Sequence, residues 1–133
     1  TRIMSISLFV GTRLPAYCTS MGQVLLAQLP DDALKAYLDR VRLVARTNRT
    51  IVSAAKLRKV LAGVREAGYA VLDQELELGL RSIAVPVTDA RGHVVAAINI
   101  GAHAARVSVE QMQARFLPLL RRCAGALGRE LLG

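Results

Sequence analysis

The chain has 133 residues, 53% of them hydrophobic, and 18 Lys and Arg against 10 Asp and Glu give it a net charge of +8. That is enough to bury one core and too little for two domains, and no apolar run approaches the ~20 residues of a membrane helix, so it reads as a soluble cytoplasmic domain. Cys18 and Cys123 have no C-x-x-C or His-spaced partner, and the basic residues are scattered among only five aromatics, which argues against a metal site, a disulfide framework and a nucleic-acid surface.

Ile3 to Val10 alternates as a strand, closed by Gly11. Because Thr1 already falls in strand-like sequence, the chain is expected to be a fragment of a longer polypeptide. The segment Gly11 to Pro30 then combines a turn, a Pro-containing entry and a helix start. Ser20 followed by Gln23 predicts a capping box, with a helix from about Met21 to Leu29. The amides from Ser20 to Gly22 would face outward at a positive helix end, able to receive a carboxylate or phosphate. Pro30-Asp31-Asp32 starts a second helix to about Arg40, with Leu34, Tyr37, Leu38 and Val41 on its apolar stripe. Arg42 to Thr50 has no clear period and reads as a loop with freedom to move. A third helix spans Ser53 to Ala67, with Leu57, Val60, Leu61 and Val64 on one face and Gly68 as its C-terminal cap.

Three strands follow, Tyr69 to Leu72, Arg81 to Val87 and Val94 to Ile100, with Asp89-Ala90-Arg91-Gly92 as a hairpin turn. Ser108 and Gln111 form a second capping-box pair. They open a long helix carrying Val109, Met112, Phe116, Leu120, Cys123, Leu127 and Leu131 in steps of three and four. Pro118 lies inside it and predicts a kink near Ala114 or a break. The element order implies an α+β domain, an antiparallel sheet packed by helices.

The titratable residues offer one carboxylate cluster and one Cys–His combination. Asp73, Glu75 and Glu77 could support acid/base chemistry, but no nucleophile or metal ligand accompanies them, and they read as solvated or as ion-pair partners of Arg81 or Arg13. Cys18 with His93 or His103 would be a nucleophile pair, yet no oxyanion motif accompanies it. His103, just past the last strand, could alternatively reach a ligand carboxylate. A small hydrolase or lyase built on Cys18 or on Asp73 and Glu75, and a ligand-free oligomerisation module, are therefore the alternatives to a binding domain.

Gly11, Arg13, Pro15, Thr19, Gly22, Leu26 and Ala27 resemble the G-x-R-x-P-x-x-x-T-x-x-G-x-x-x-L-A signature of the effector-binding domain of IclR-type bacterial transcriptional regulators. Gly68 to Val87 and Val94 to Gly101 resemble two further blocks of that family, in order. The wording is most similar to the subgroup controlling p-hydroxybenzoate, protocatechuate and β-ketoadipate breakdown. The resemblance implies a GAF-like or profilin-like fold without its first elements, and a winged helix-turn-helix outside this chain through which alone DNA would be bound. It also implies a homodimer or homotetramer, no cofactor, no membrane and a small-molecule acid effector.

By the same resemblance the effector pocket takes Ile3, Ile6, Leu14, Ser20, Met21, Leu72, Asp73, Leu80, Ser82, Asn99 and Gly101. Where relatives recognising small oxoacids carry Asp, Cys and two Ser, this chain has Leu72, Ser82, Asn99 and Gly101. These exchanges predict a roomier, less polar cavity suited to an aromatic acid, with a six-carbon oxo-diacid as the second candidate.

Overall fold

The computed structural model describes residues 13–131. The expected first strand, with Ile3 and Ile6, lies outside them. After a single 3-10 turn at Ala16–Cys18, the chain forms α1 (Ser20–Leu26), α2 (Asp31–Arg40) and α3 (Ala54–Ala67). The antiparallel strands β1 (Ala70–Asp73), β2 (Leu80–Thr88) and β3 (Val94–His103) follow in the order β1-β2-β3. This is the expected α+β arrangement.

Helix α3 is bounded as its sequence predicts. Ser53 accepts from the Lys56 amide, and Gly68 takes the left-handed conformation at φ 79. In the β2–β3 hairpin, Asp89 Oδ1 accepts from the Arg91 and His93 amides, and Gly92 sits at φ 83. The supposedly free segment from Arg42 to Thr50 is instead tied down by side chains. Tyr17 Oη donates to the Val44 carbonyl and accepts from its amide, Thr47 Oγ1 donates to the Gln74 carbonyl, and Thr50 Oγ1 donates to that of Glu75.

Strand alternation divides the sheet into two faces. Residues 70 and 72 of β1 face α1 and α3, together with the even positions of β2 and the odd positions of β3. They share a core with Tyr17, Val24, Leu57 and Leu61. The opposite face, with Ile83, Val85, Val87, Ile98 and Ile100, packs against the C-terminal helix. Helix α1 is thereby held over β2 and β3, leaving space between its first turn and the sheet.

The C-terminal helix begins at α4 (Val109–Gln111), where Ser108 and Gln111 form the expected capping box. It then widens into a π turn at Met112–Phe116, in which the Leu117 amide bonds to the Met112 carbonyl, before α5 (Leu117–Leu131). Pro118 is the cause: it has no N–H for the Ala114 carbonyl, and the wider turn relieves the ring clash. The added residue rotates the apolar seam. Leu117 and Ala124 join the expected Leu120 as buried positions, the expected Phe116 is half-buried against the same core, and Cys123 is exposed.

Candidate functional site

A cavity of about 280 Å3 lies between the first turn of α1, the β1–β2 connection and the inward face of the sheet. Its floor follows from strand register. Leu72, Ser82 and Gly101 form one cross-strand row, Leu72 opposite Ser82 and Ser82 opposite Gly101, with Leu80 and Asn99 on the same face beside them. Leu14, Ser20 and Met21 supply the opposite wall. Eight of the eleven residues expected in the pocket are thus brought to one space. Asn99 and Gly101 are exposed at its rim. A side chain at Gly101 would meet only Leu80 Cδ1, at 3.6 Å, so its absence leaves the floor open.

Asp73 does not share this space. It follows Leu72 in a strand, so its side chain points to the other face. There it pairs with Arg81 at 2.8 Å and with Arg49 at 2.7 Å. Burial raises its pKa, but the bonds from Arg81 and Gln74 and the charges of Arg81 and Arg49 outweigh that and hold it below the ordinary value. His103 is not in the cavity wall either; its Nδ1 accepts from the Ala105 amide.

The capping box at the start of α1 is differently built from its sequence reading. Thr19, not Ser20, is the N-cap: its Oγ1 accepts from the Gly22 amide and donates to the Pro15 carbonyl. Gln23 does not reach back to the cap but donates from Nε2 to the Tyr17 carbonyl. Ser20 therefore becomes the first helical residue, and its hydroxyl is released from capping. That Oγ is fully shielded and has no hydrogen-bond partner, in a residue only 2% exposed.

Cys18, Thr19, Glu75 and Leu76 also line the cavity. Glu75 departs most from expectation, since the sequence presents it as a solvated acid. Gln74 adopts φ 61, left-handed for a side-chain-bearing residue, and turns the chain out of strand alternation. Its amide donates to the Leu80 carbonyl and its Oε1 accepts from Gly79, closing the connection on itself. Glu75 Oε1 ends up shielded and unpartnered, like Ser20 Oγ. Burial pushes its pKa up to about 7, with Asp73 adding to the rise and Lys56 opposing it. Burial likewise pushes the Cys18 thiol up to about 11, which keeps it protonated and a poor nucleophile at neutral pH.

Two residues that each carry a shielded, unsatisfied polar atom line one mostly apolar cavity, the arrangement of a ligand site. An apolar cavity of about 150 Å3 holds benzene, so about 280 Å3 accommodates a ring with substituents. A larger groove, of about 510 Å3, runs between the end of β2 and α5, lined by Thr88, Arg121 and Arg129. It is open to solvent and contains no orphaned polar atom among the described residues. Among those residues no group of three or more His, Cys, Asp or Glu could hold a metal ion, and no helix is long and apolar enough to cross a membrane.

The family described as bacterial transcriptional regulator IclR, C-terminal, matches residues 1–129. The chain is 49% identical over 132 residues to the Pca regulon regulatory protein of Pseudomonas putida, covering 99% of this chain and 45% of that protein. It is 36% identical over 126 residues to the p-hydroxybenzoate hydroxylase transcriptional activator of Acinetobacter baylyi, covering 95% of this chain and 46% of that one. The chain thus spans about half the length of these curated relatives, which are regulators and not enzymes. Among solved structures it superposes on a Rhodococcus sp. RHA1 protein with a TM-score of 0.93 and 48% identity, over 99% of this chain and 53% of that one. It superposes on a double mutant of the PobR inducer-binding domain from Acinetobacter, in complex with 3-hydroxybenzoic acid, with a TM-score of 0.85 and 37% identity. That match covers 88% of this chain and 69% of the other.

Proposed function

This chain belongs to the IclR C-terminal family of bacterial transcriptional regulators, and on that premise we propose that its cavity binds an organic acid and relays the binding to DNA-binding domains outside this chain. The observation that carries the proposal is that Ser20 and Glu75, whose Oγ and Oε1 are shielded and unpartnered, both line a single apolar cavity. A buried polar atom without a partner costs about 1–3 kcal/mol, which a ligand supplying the missing bond removes. The Ser20 hydroxyl, with the neighbouring Ser20 and Met21 amides, holds the acid group. Leu72, Leu80 and Leu14 cover the carbon skeleton, and Ser82 and Asn99 meet its outer oxygens. Asp73 has no place in this set, because Arg81 and Arg49 occupy it on the other face.

The ligand class is an aromatic acid such as p-hydroxybenzoate or protocatechuate, with β-ketoadipate as the alternative. Relatives whose names refer to Pca and p-hydroxybenzoate regulation support it, as do the apolar side chain at Leu72 and the room left by Gly101. The effector acts by differential affinity for two arrangements of a homodimer or homotetramer, which biases the attached DNA-binding domains. Titration calorimetry with these three acids tests the reading, and Ser20→Ala should weaken the one that binds by roughly 10- to 100-fold, the loss of a hydrogen bond to a charged group. An unchanged affinity in Ser20→Ala would refute the assignment of Ser20; no heat with any of the three would refute the ligand class.

A further inference from the structure

We infer that Glu75 contacts the ligand directly, its carboxyl group donating a proton-bearing hydrogen bond to the ligand's carboxylate, so that an acid effector enters the cavity together with one proton. The inference rests on the reading of the cavity as an acid-binding site. It adds a residue outside the pocket set that the sequence resemblance implies.

The geometry leaves few other ways to neutralise an anion there. Among the described residues the cavity wall contains no Lys, Arg or His. The nearby guanidinium groups of Arg49 and Arg81 are taken by Asp73. Glu75 is the one acid in the wall, and its backbone is fixed by the 2.6 Å bond from Thr50 Oγ1 to its carbonyl, so it cannot simply swing into solvent with its loop. Its Oε1 is already shielded from water and unpartnered before any ligand arrives. Two bare carboxylates in one apolar cavity repel. A carboxylic acid and a carboxylate sharing one proton form a strong charge-assisted bond instead.

The groups that act on Glu75 set the pH at which this matters. Asp73 on β1 raises its pKa further above the burial effect, Lys56 on α3 lowers it, and the Cys18 thiol before α1 stays neutral at these pH values. Arg46 acts on Cys18. With Glu75 at about 7, the free cavity already carries the proton below neutrality, and binding there needs none from solvent. Above neutrality the free carboxyl is ionised, binding draws a proton from the buffer, and affinity falls by roughly tenfold per pH unit.

The test is titration calorimetry of p-hydroxybenzoate and of β-ketoadipate, in pairs of buffers with different ionisation heats, at about pH 6 and pH 8, on the unaltered protein and on Glu75→Gln. The unaltered protein should take up close to one proton at the higher pH and bind roughly tenfold more weakly there. Glu75→Gln keeps an N–H donor of the same shape without a titrating proton. It should bind with similar affinity at both pH values, without uptake. Binding by the unaltered protein at the higher pH without proton uptake, or uptake there undiminished in Glu75→Gln, overturns the inference and leaves the acid-effector reading standing. No binding to either protein at either pH overturns both.

Discussion

A Cβ at Gly22 would overlap the Ala16 carbonyl oxygen and the Thr19 hydroxyl, so the turn before α1 can close only over a residue without a side chain. That closure places Thr19 Oγ1 against the Gly22 amide and leaves Ser20 Oγ without a capping partner, in a residue that lines the cavity. Gly22→Ala should therefore destabilise the fold by about 1–3 kcal/mol, read as a lower urea midpoint, and weaken acid binding with it. Gly63→Ala in α3, where a Cβ meets nothing within 4 Å, is the control and should be neutral or stabilising. The sequence could not choose between Thr19 and Ser20 as the cap, because two adjacent hydroxyls each offer plausible partners two or three positions on. The choice is made by backbone packing around Gly22. Glu75 was illegible for a different reason: alternation places residues only while the strand lasts, and Gln74 breaks it with a left-handed φ.

Thr50 links two elements that local pattern cannot connect. Its hydroxyl accepts from the Arg46 and Thr47 amides and donates to the Glu75 carbonyl, joining the α2–α3 connection to the wall of the cavity. Thr50→Val keeps the shape and leaves those groups without partners, for an expected loss of about 1–3 kcal/mol and a fall of several degrees in Tm. Hydrogen exchange at residues 46 and 47 should accelerate, whereas a variant as protected as the parent would show that the link carries no load. The segment from Arg42 to Thr50 reads as free in the sequence because its order comes from bonds to residues more than twenty positions away, which leave no periodic trace. Elements bounded by their own caps, such as α3 between Ser53 and Gly68, were legible almost to the residue. The C-terminal helix shows both outcomes. Pro118 announced the irregularity near Ala114, but only the π turn explains why Leu117 joins Phe116 in the seam and Ala124 takes the place of Cys123.

At the scale of the molecule, one sheet separates two cores, and the cavity belongs to only one of them. The α+β class was readable from element order, and the floor of the cavity from strand alternation once the register of Leu72, Ser82 and Gly101 is known. The wall was not, since it needs the placement of α1 over the sheet. The division has an energetic consequence. A ligand binding only the folded state at a hundred times its Kd adds about 2.7 kcal/mol to global stability, wherever it sits. Local opening is different: it slows only where the ligand must leave for the opening to occur. Saturating p-hydroxybenzoate should therefore slow amide exchange most strongly in the first turn of α1 and the β1–β2 connection. On the opposite face, amides of α5 that exchange by local opening should change little, although those exchanging through global unfolding share the full increment. Protection confined to α5 and the groove beside Arg121 would place the ligand on the wrong face of the sheet. Protection centred on Ser20 and Glu75 would give the relay its starting point, since α1 is the element of that wall packed against both β2 and β3.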